Sequence, residues 1–186
     1  TPREHHRVRF VGRLTTEKHV EVTLGAVAKL APELPNITFD IVGGGDQRRN
    51  LEQTVQRLGI QDRVIFHGRV DEEELRASYG KADVFAIASI AELQSIATME
   101  AMASGLPVVA ANAVALPHLV HDGENGYLFE PGNVDDLAAG LRRVLTASPE
   151  EYLRMQQASL DGVEIHDIEK TLDTFEKLYR GAPPEG

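Results

Sequence analysis

The stretch Ala91–Gly105, AELQSIATMEAMASG, carries two carboxylates, Glu92 and Glu100, in a helix-like run of Ala, Met and Ile. No Lys or Arg occurs anywhere between Lys81 and Arg142. Carboxylates accept hydrogen bonds well from neutral hydroxyls and are repelled by phosphate. Taken alone, Glu100 also fits a plainer description, the solvated side of an amphipathic helix. Two cations stand in a second stretch, GRLTTEK (Gly12–Lys18), where Arg13 and Lys18 suit an anion. A third stretch, IVGGGDQR (Ile41–Arg48), ends a β-rich run in three glycines, which permit a tight turn or a close approach of backbone to a ligand. The glycines lack the G-x-G-x-x-G spacing of a dinucleotide fingerprint.

What these groups can do depends on what positions them. With 186 residues, 42% of them hydrophobic, the chain suffices for one well-buried core. The absence of cysteine excludes disulfides and thiolate zinc sites and sets a cytoplasmic expectation. No apolar run approaches the roughly 20 residues of a membrane span, and TPREHHRVRF lacks the apolar middle of a signal peptide. Nineteen Lys and Arg against 29 Asp and Glu give a formal net charge of −10, which argues against sequence-independent nucleic-acid binding.

Short apolar runs alternate with helical spacing. RVRFVG, ITFDIVG, RVIFHG, ADVFAIAS, LPVVAAN and YLF read as strands. EKHVEVTLGAVAKLA, with Thr15 or Thr16 as its cap, LEQTVQRLG, EEELRASYG, the AELQ stretch, ALPHLV and VDDLAAGLRRVL read as helices. Repeated β-loop-α units predict a single α/β domain, a doubly wound parallel sheet covered on both faces. The spacing of Ile165, Ile168, Leu172, Phe175 and Leu178 predicts a last helix over 164–180.

In such sheets ligands bind beyond the carboxyl ends of the strands, where strand order reverses, commonly between the first and fourth strands. That rule sets Gly12–Lys18 against the loop Ser89–Ser95. Arg13 and Lys18 then supply the cations missing around Glu92, and the helix opening at Ser95 or Ile96 offers free N–H groups and a positive dipole end. Such a combination suits a diphosphate.

In this order, VGRLTTEK, IVGGGDQRRNLE, RVIFHGRV, LRASYGKADVFAIAS, E-x7-E at Glu92 and Glu100 with EAMASGLPVVA, and HDGENGYLFEPGNVDDLA resemble the C-terminal, donor-binding half of the retaining group 1 (family 4) glycosyltransferases. Those enzymes have the GT-B architecture of two Rossmann-like domains. The resemblance implies that Gly12, Arg13 and Lys18 hold the diphosphate of a UDP- or GDP-sugar, with Arg13, Lys18 and Glu92 in catalytic roles. Glu92 would meet the donor sugar's hydroxyls and Glu100 the ribose hydroxyls. Gly44 in the glycine run, Arg69 and Val70 beside the base, and the backbone amides of Leu93, Gln94, Ser95 and Ile96 beside the β-phosphate complete the implied donor site. The nucleotide-sugar is a co-substrate, and neither a cofactor nor a metal is implied.

Two departures bear on the donor: Leu93-Gln94-Ser95 stands where the family commonly has Gly-Phe-Gly, and Ala88 where it has Pro. Gln at this position is similar to variants that glycosylate lipids or use mannose donors. In the family the acceptor site belongs to an N-terminal domain, which the resemblance places outside this chain and towards which the helix at 164–180 would pack. The chain is therefore expected to bind donor without transferring sugar, with peripheral attachment to the inner face of the membrane left open for the full-length enzyme. A non-catalytic nucleotide-sugar-binding module and a GT-B epimerase or phosphorylase are the alternatives. Of the histidines, only His118 and His121 share helical spacing, with no pattern completing a metal site. Neither a G-x-S-x-G elbow nor an Asp-x-Asp motif occurs.

Overall fold

Strands buried on both faces need continuous apolar runs, and two inner strands have them: β4 (Val84–Ile87, VFAI) and β5 (Val108–Ala111, VVAA) are buried at every position. A computed structural model describes residues 5–163 and places β1 (His6–Val11), β2 (Ile37–Val42), β3 (Val64–Gly68) and β6 (Gly126–Phe129) around them. The six strands form one parallel sheet in the order β3-β2-β1-β4-β5-β6. Strand order reverses between β1 and β4, as expected. On the edge strand β3 burial falls off, and Ile65 and His67 face outward. The β2–β3 register shifts at Ile41/Val42, so that Val42 pairs with Gly68 and the chain turns into Arg69 and Val70 at the carboxyl end of the sheet.

Two helical layers cover the sheet. α1 (Val20–Leu30) packs against both α2 (Arg48–Leu58) and α6 (Val134–Leu145), and Val134 stands against Gly25 at a separation that leaves little room for a side chain there. α4 (Ile96–Ala103) packs against α7 (Pro149–Gly162). Helix α3 (Glu72–Tyr79) starts at Asp71, whose side chain accepts from the Glu74 amide, and α6 starts at Asn133, which accepts from the Asp136 amide. The single turn α5 is Leu116–Leu119, so His121 lies beyond its end and does not share a helical face with His118.

The start of the first helix departs from expectation. Thr16–Lys18 forms a 3-10 turn, the Thr15 side chain makes no capping bond, and His19 in the left-handed region (φ 47°, ψ 42°) separates the turn from α1. Lys18, the last residue of the turn, meets Glu92 of the loop after β4. Helix α7 is not among the expected elements, although its start signal is written in the sequence: Ser148 as cap, Pro149 in the first turn, and a Ser148 side chain that accepts from the Glu151 amide. Its buried Ser159 donates to the carbonyl of Leu106 at 2.7 Å, and Tyr152 donates to the carbonyl of Asp83 at 2.7 Å, which ties the helix to the sheet. The predicted helix at 164–180 lies outside the described residues. Among the described residues no helix is long and apolar enough to cross a membrane.

Candidate functional site

Residues 12–14 run along the glycine run, joined by backbone bonds from Gly12 N–H to the Val42 carbonyl and from Leu14 N–H to the Gly44 carbonyl, both 3.0 Å. The amide of Gln47 returns to the Leu14 carbonyl at 2.9 Å. Leu14, fully buried, anchors the loop from below. The three glycines divide their work. Gly43 (φ +132°) and Gly45 approach the first loop so closely that a Cβ would stand 1.9 Å from the Gly12 oxygen and 2.4 Å from the Leu14 oxygen. Gly44 faces outward, with the Arg69 side chain lying across it.

Between these loops and the end of β3 opens a cleft of about 470 Å³, lined by Gly12, Arg13, Gly44, Arg69 and Val70 together with Leu75 and the neighbouring backbone. Five residues singled out from the sequence therefore share one wall. A larger cavity, about 810 Å³, lies at the opposite, amino end of the strands around Asn36, Thr38 and Arg63. There the Arg63 guanidinium is already committed to the carbonyls of Pro35 and Ile37, and none of the residues singled out from the sequence lines it.

The remaining candidates sit across the switch point. The loop after β4 is held to the first loop by Ile90 N–H donating to the Glu17 carbonyl at 3.3 Å, and Lys18 forms an ion pair with Glu92. Glu92 is further placed by its own carbonyl, which accepts from the Ala115 amide at 3.0 Å. The pair is largely screened from solvent, with side-chain exposures of 20% and 12%. Lys18 is thus the cation that the sequence around Glu92 lacks.

Ser95 is buried and caps α4, accepting from the Thr98 amide at 3.3 Å and sharing a 2.6 Å hydrogen bond with the Thr98 hydroxyl. Its hydroxyl is therefore engaged within the helix. Leu93 (86% exposed) and Gln94 are exposed on the rim ahead of the helix. Ile96 begins the first turn, where backbone N–H groups lack intrahelical partners as a rule.

Glu100 is half-buried in α4 and accepts from the Tyr79 hydroxyl at 3.2 Å. Burial lifts its carboxyl above the usual carboxylate range; the Tyr79 hydrogen bond and the Arg76 charge oppose that rise and the Glu72 charge reinforces it. Tyr79, a partner that sequence reasoning did not single out, is itself pushed upward by burial, then by the negative charge of Glu100 and by its hydrogen bond to it. The solvated helix face does not describe Glu100.

A group whose pKa is raised by folding contributes stability that is complete below the ordinary range and is lost as pH rises through the raised value. Glu100→Gln is accordingly expected to raise the Tm at about pH 7 and to give no gain near pH 4. Thermal denaturation at the two pH values checks this, and an unchanged or lower Tm at the higher pH would contradict it.

The family described as "Glycosyl transferases group 1" matches residues 2–160. The chain belongs to that family. A glycosyltransferase of Methanocaldococcus jannaschii is 39% identical over 137 residues, spanning 74% of this chain and 35% of the relative. Among solved structures, the pneumococcal O-GlcNAc transferase GtfA in complex with UDP and GlcNAc superposes with a TM-score of 0.76 at 27% identity, over 96% of this chain and 37% of that one. The C-terminal domain of a group 1 glycosyl transferase (LpcC) from Francisella tularensis gives a TM-score of 0.74 at 26% identity, over 87% and 85% of the two chains. This group 1 chain spans between about a quarter and a half of the length of the curated relatives it matches first. That coverage fits the C-terminal, Rossmann-like half of a GT-B glycosyltransferase.

Proposed function

We propose that this chain is the donor half of a retaining glycosyltransferase that moves a hexose from a UDP- or GDP-sugar to an acceptor such as a lipid or glycan. The observation that carries this reading is the meeting of Lys18 with Glu92 beside the Arg13 cleft, at the point where strand order reverses. The base lies against Arg69 and Val70, the diphosphate spans Gly12, Arg13 and the first-turn amides of α4, and the ribose hydroxyls reach Glu100. The donor sugar lies against Glu92. On binding, Lys18 exchanges Glu92 for phosphate while Glu92 accepts from sugar hydroxyls, so each member of the ion pair takes a ligand group of matching chemistry.

Arg13 and Lys18 stabilise the charge that develops on the departing nucleoside diphosphate. The anomeric C–O bond breaks as the acceptor oxygen bonds to the same face, and the leaving phosphate takes the acceptor's proton. The chain alone binds donor and does not transfer, because the acceptor side belongs to the rest of the enzyme. The structure of GtfA with UDP and GlcNAc supports the ligand class.

Calorimetric titration of this chain with UDP and with GDP, in EDTA, tests the proposal. Saturable binding of one of them without added metal is expected, and it names the base. Binding of neither would overturn the donor-half assignment for the isolated chain. For the whole enzyme, a product of inverted anomeric configuration would overturn the retaining step.

A further inference from the structure

Among the described residues α3 buries one side chain, Tyr79, 1% exposed, whose ring packs against Phe85 of β4 with centroids 6.3 Å apart. The hydroxyl reaches over to α4. It lies 3.2 Å from Glu100 Oε2 and 3.4 Å from the Ala97 carbonyl oxygen. A phenol has one proton, and the charge-assisted bond to the carboxylate is the stronger of the two.

We propose that Tyr79 is a positioning residue for nucleotide recognition: its hydroxyl orients the Glu100 carboxylate to accept from the ribose hydroxyls of a nucleoside diphosphate. This inference rests on the donor-binding role given to Glu100 above. The carboxylate is half-buried on α4, where an unheld side chain would rotate and protonate more readily. Tyr79 supplies a neutral donor that keeps its own proton, because burial and the neighbouring negative charge both oppose its ionisation.

The surrounding charges also act on Glu100. Arg76, three residues before Tyr79 on α3, favours the ionised carboxylate, and Glu72, a turn earlier, opposes it. Arg9 of β1 acts on Tyr79, but its guanidinium is bound to Asp40, which also contacts His67. The hydroxyl is therefore the one hydrogen-bond donor to the Glu100 carboxylate found among the described residues.

The test compares the native chain, Tyr79→Phe and Glu100→Gln by titration with UDP, GDP and their 2′,3′-dideoxy counterparts between about pH 4 and pH 8. Phenylalanine keeps the ring packing, and thermal denaturation reports whether the fold survives. Tyr79→Phe is expected to weaken binding of the ribonucleotide about five-fold, the size of one ordinary hydrogen bond, and to leave the dideoxy form unaffected. The pH midpoint of ribonucleotide binding should move upward, since an interaction that lowers the Glu100 pKa has been removed. Site-specific 3-fluorotyrosine at position 79, a more acidic donor of nearly the same size, should move that midpoint downward.

Equal losses for the ribo and dideoxy forms, or a midpoint that neither substitution moves, would overturn the positioning role and leave Tyr79 a structural anchor. If Glu100→Gln itself fails to distinguish the two forms, the ribose role of Glu100 is what falls. If neither nucleotide binds the native chain, both assignments fall together.

Discussion

Replacing Gly43 with alanine is expected to prevent the chain from accumulating in folded form. The new Cβ would lie 1.9 Å from the Gly12 carbonyl oxygen, and the backbone at φ +132° is one that L side chains rarely adopt. The atoms it would meet are all main chain of Gly12, whose amide is bonded to the Val42 carbonyl, so the first loop cannot yield without undoing that joint. The combined clash and strain cost about 4 kcal/mol or more, against a total stability of roughly 5–15 kcal/mol for a typical domain. Gly44→Ala is the control. Its Cβ meets only the Arg69 side chain at 3.6 Å, an ordinary contact, and the variant should fold normally. Denaturant titration of the two variants checks the contrast, and a Gly43→Ala chain as stable as Gly44→Ala would show that the two loops separate more freely than their hydrogen bonding implies.

The second large effect is expected in binding. Arg13→Ala combined with Lys18→Ala should lower nucleoside diphosphate affinity about a hundred-fold or more, since each removes a charge-assisted interaction with the anion. Lys18→Ala also leaves Glu92 without its partner in a setting only 12% exposed, so a small loss of stability should accompany the loss of affinity. Calorimetry and thermal denaturation on both single variants separate the two consequences. Arg13 is exposed and its removal should act on binding alone. Undiminished affinity in the double variant would remove the diphosphate from this cleft.

The sheet was legible because its strands are short apolar runs separated by amphipathic segments, and because a parallel doubly wound sheet has one place where strand order reverses. That rule alone brought Lys18 and Glu92 together before any coordinates, and the ion pair agrees with it. The division of labour within Gly43–Gly45 was not legible. A glycine serving a close backbone approach and one facing a ligand look the same in sequence, and only the position of the first loop distinguishes them. The 3-10 turn at Thr16–Lys18 escaped because His19 in a left-handed conformation is a local exception to propensity. Ser95 takes the capping role that Ser at a helix start commonly serves. Tyr79 was hidden in a helix that reads as merely polar, since its partner Glu100 lies on another element.

The acidic balance of the chain has a kinetic meaning. With a net charge of −10, its long-range field repels a nucleoside diphosphate. Capture must then be decided within the last Debye length, roughly 8 Å at physiological ionic strength, by Arg13, Lys18 and oriented amides. Added salt, which slows the encounter of anions with basic proteins, here screens the opposing field first, so ligand and site should meet more often at physiological ionic strength than in dilute buffer.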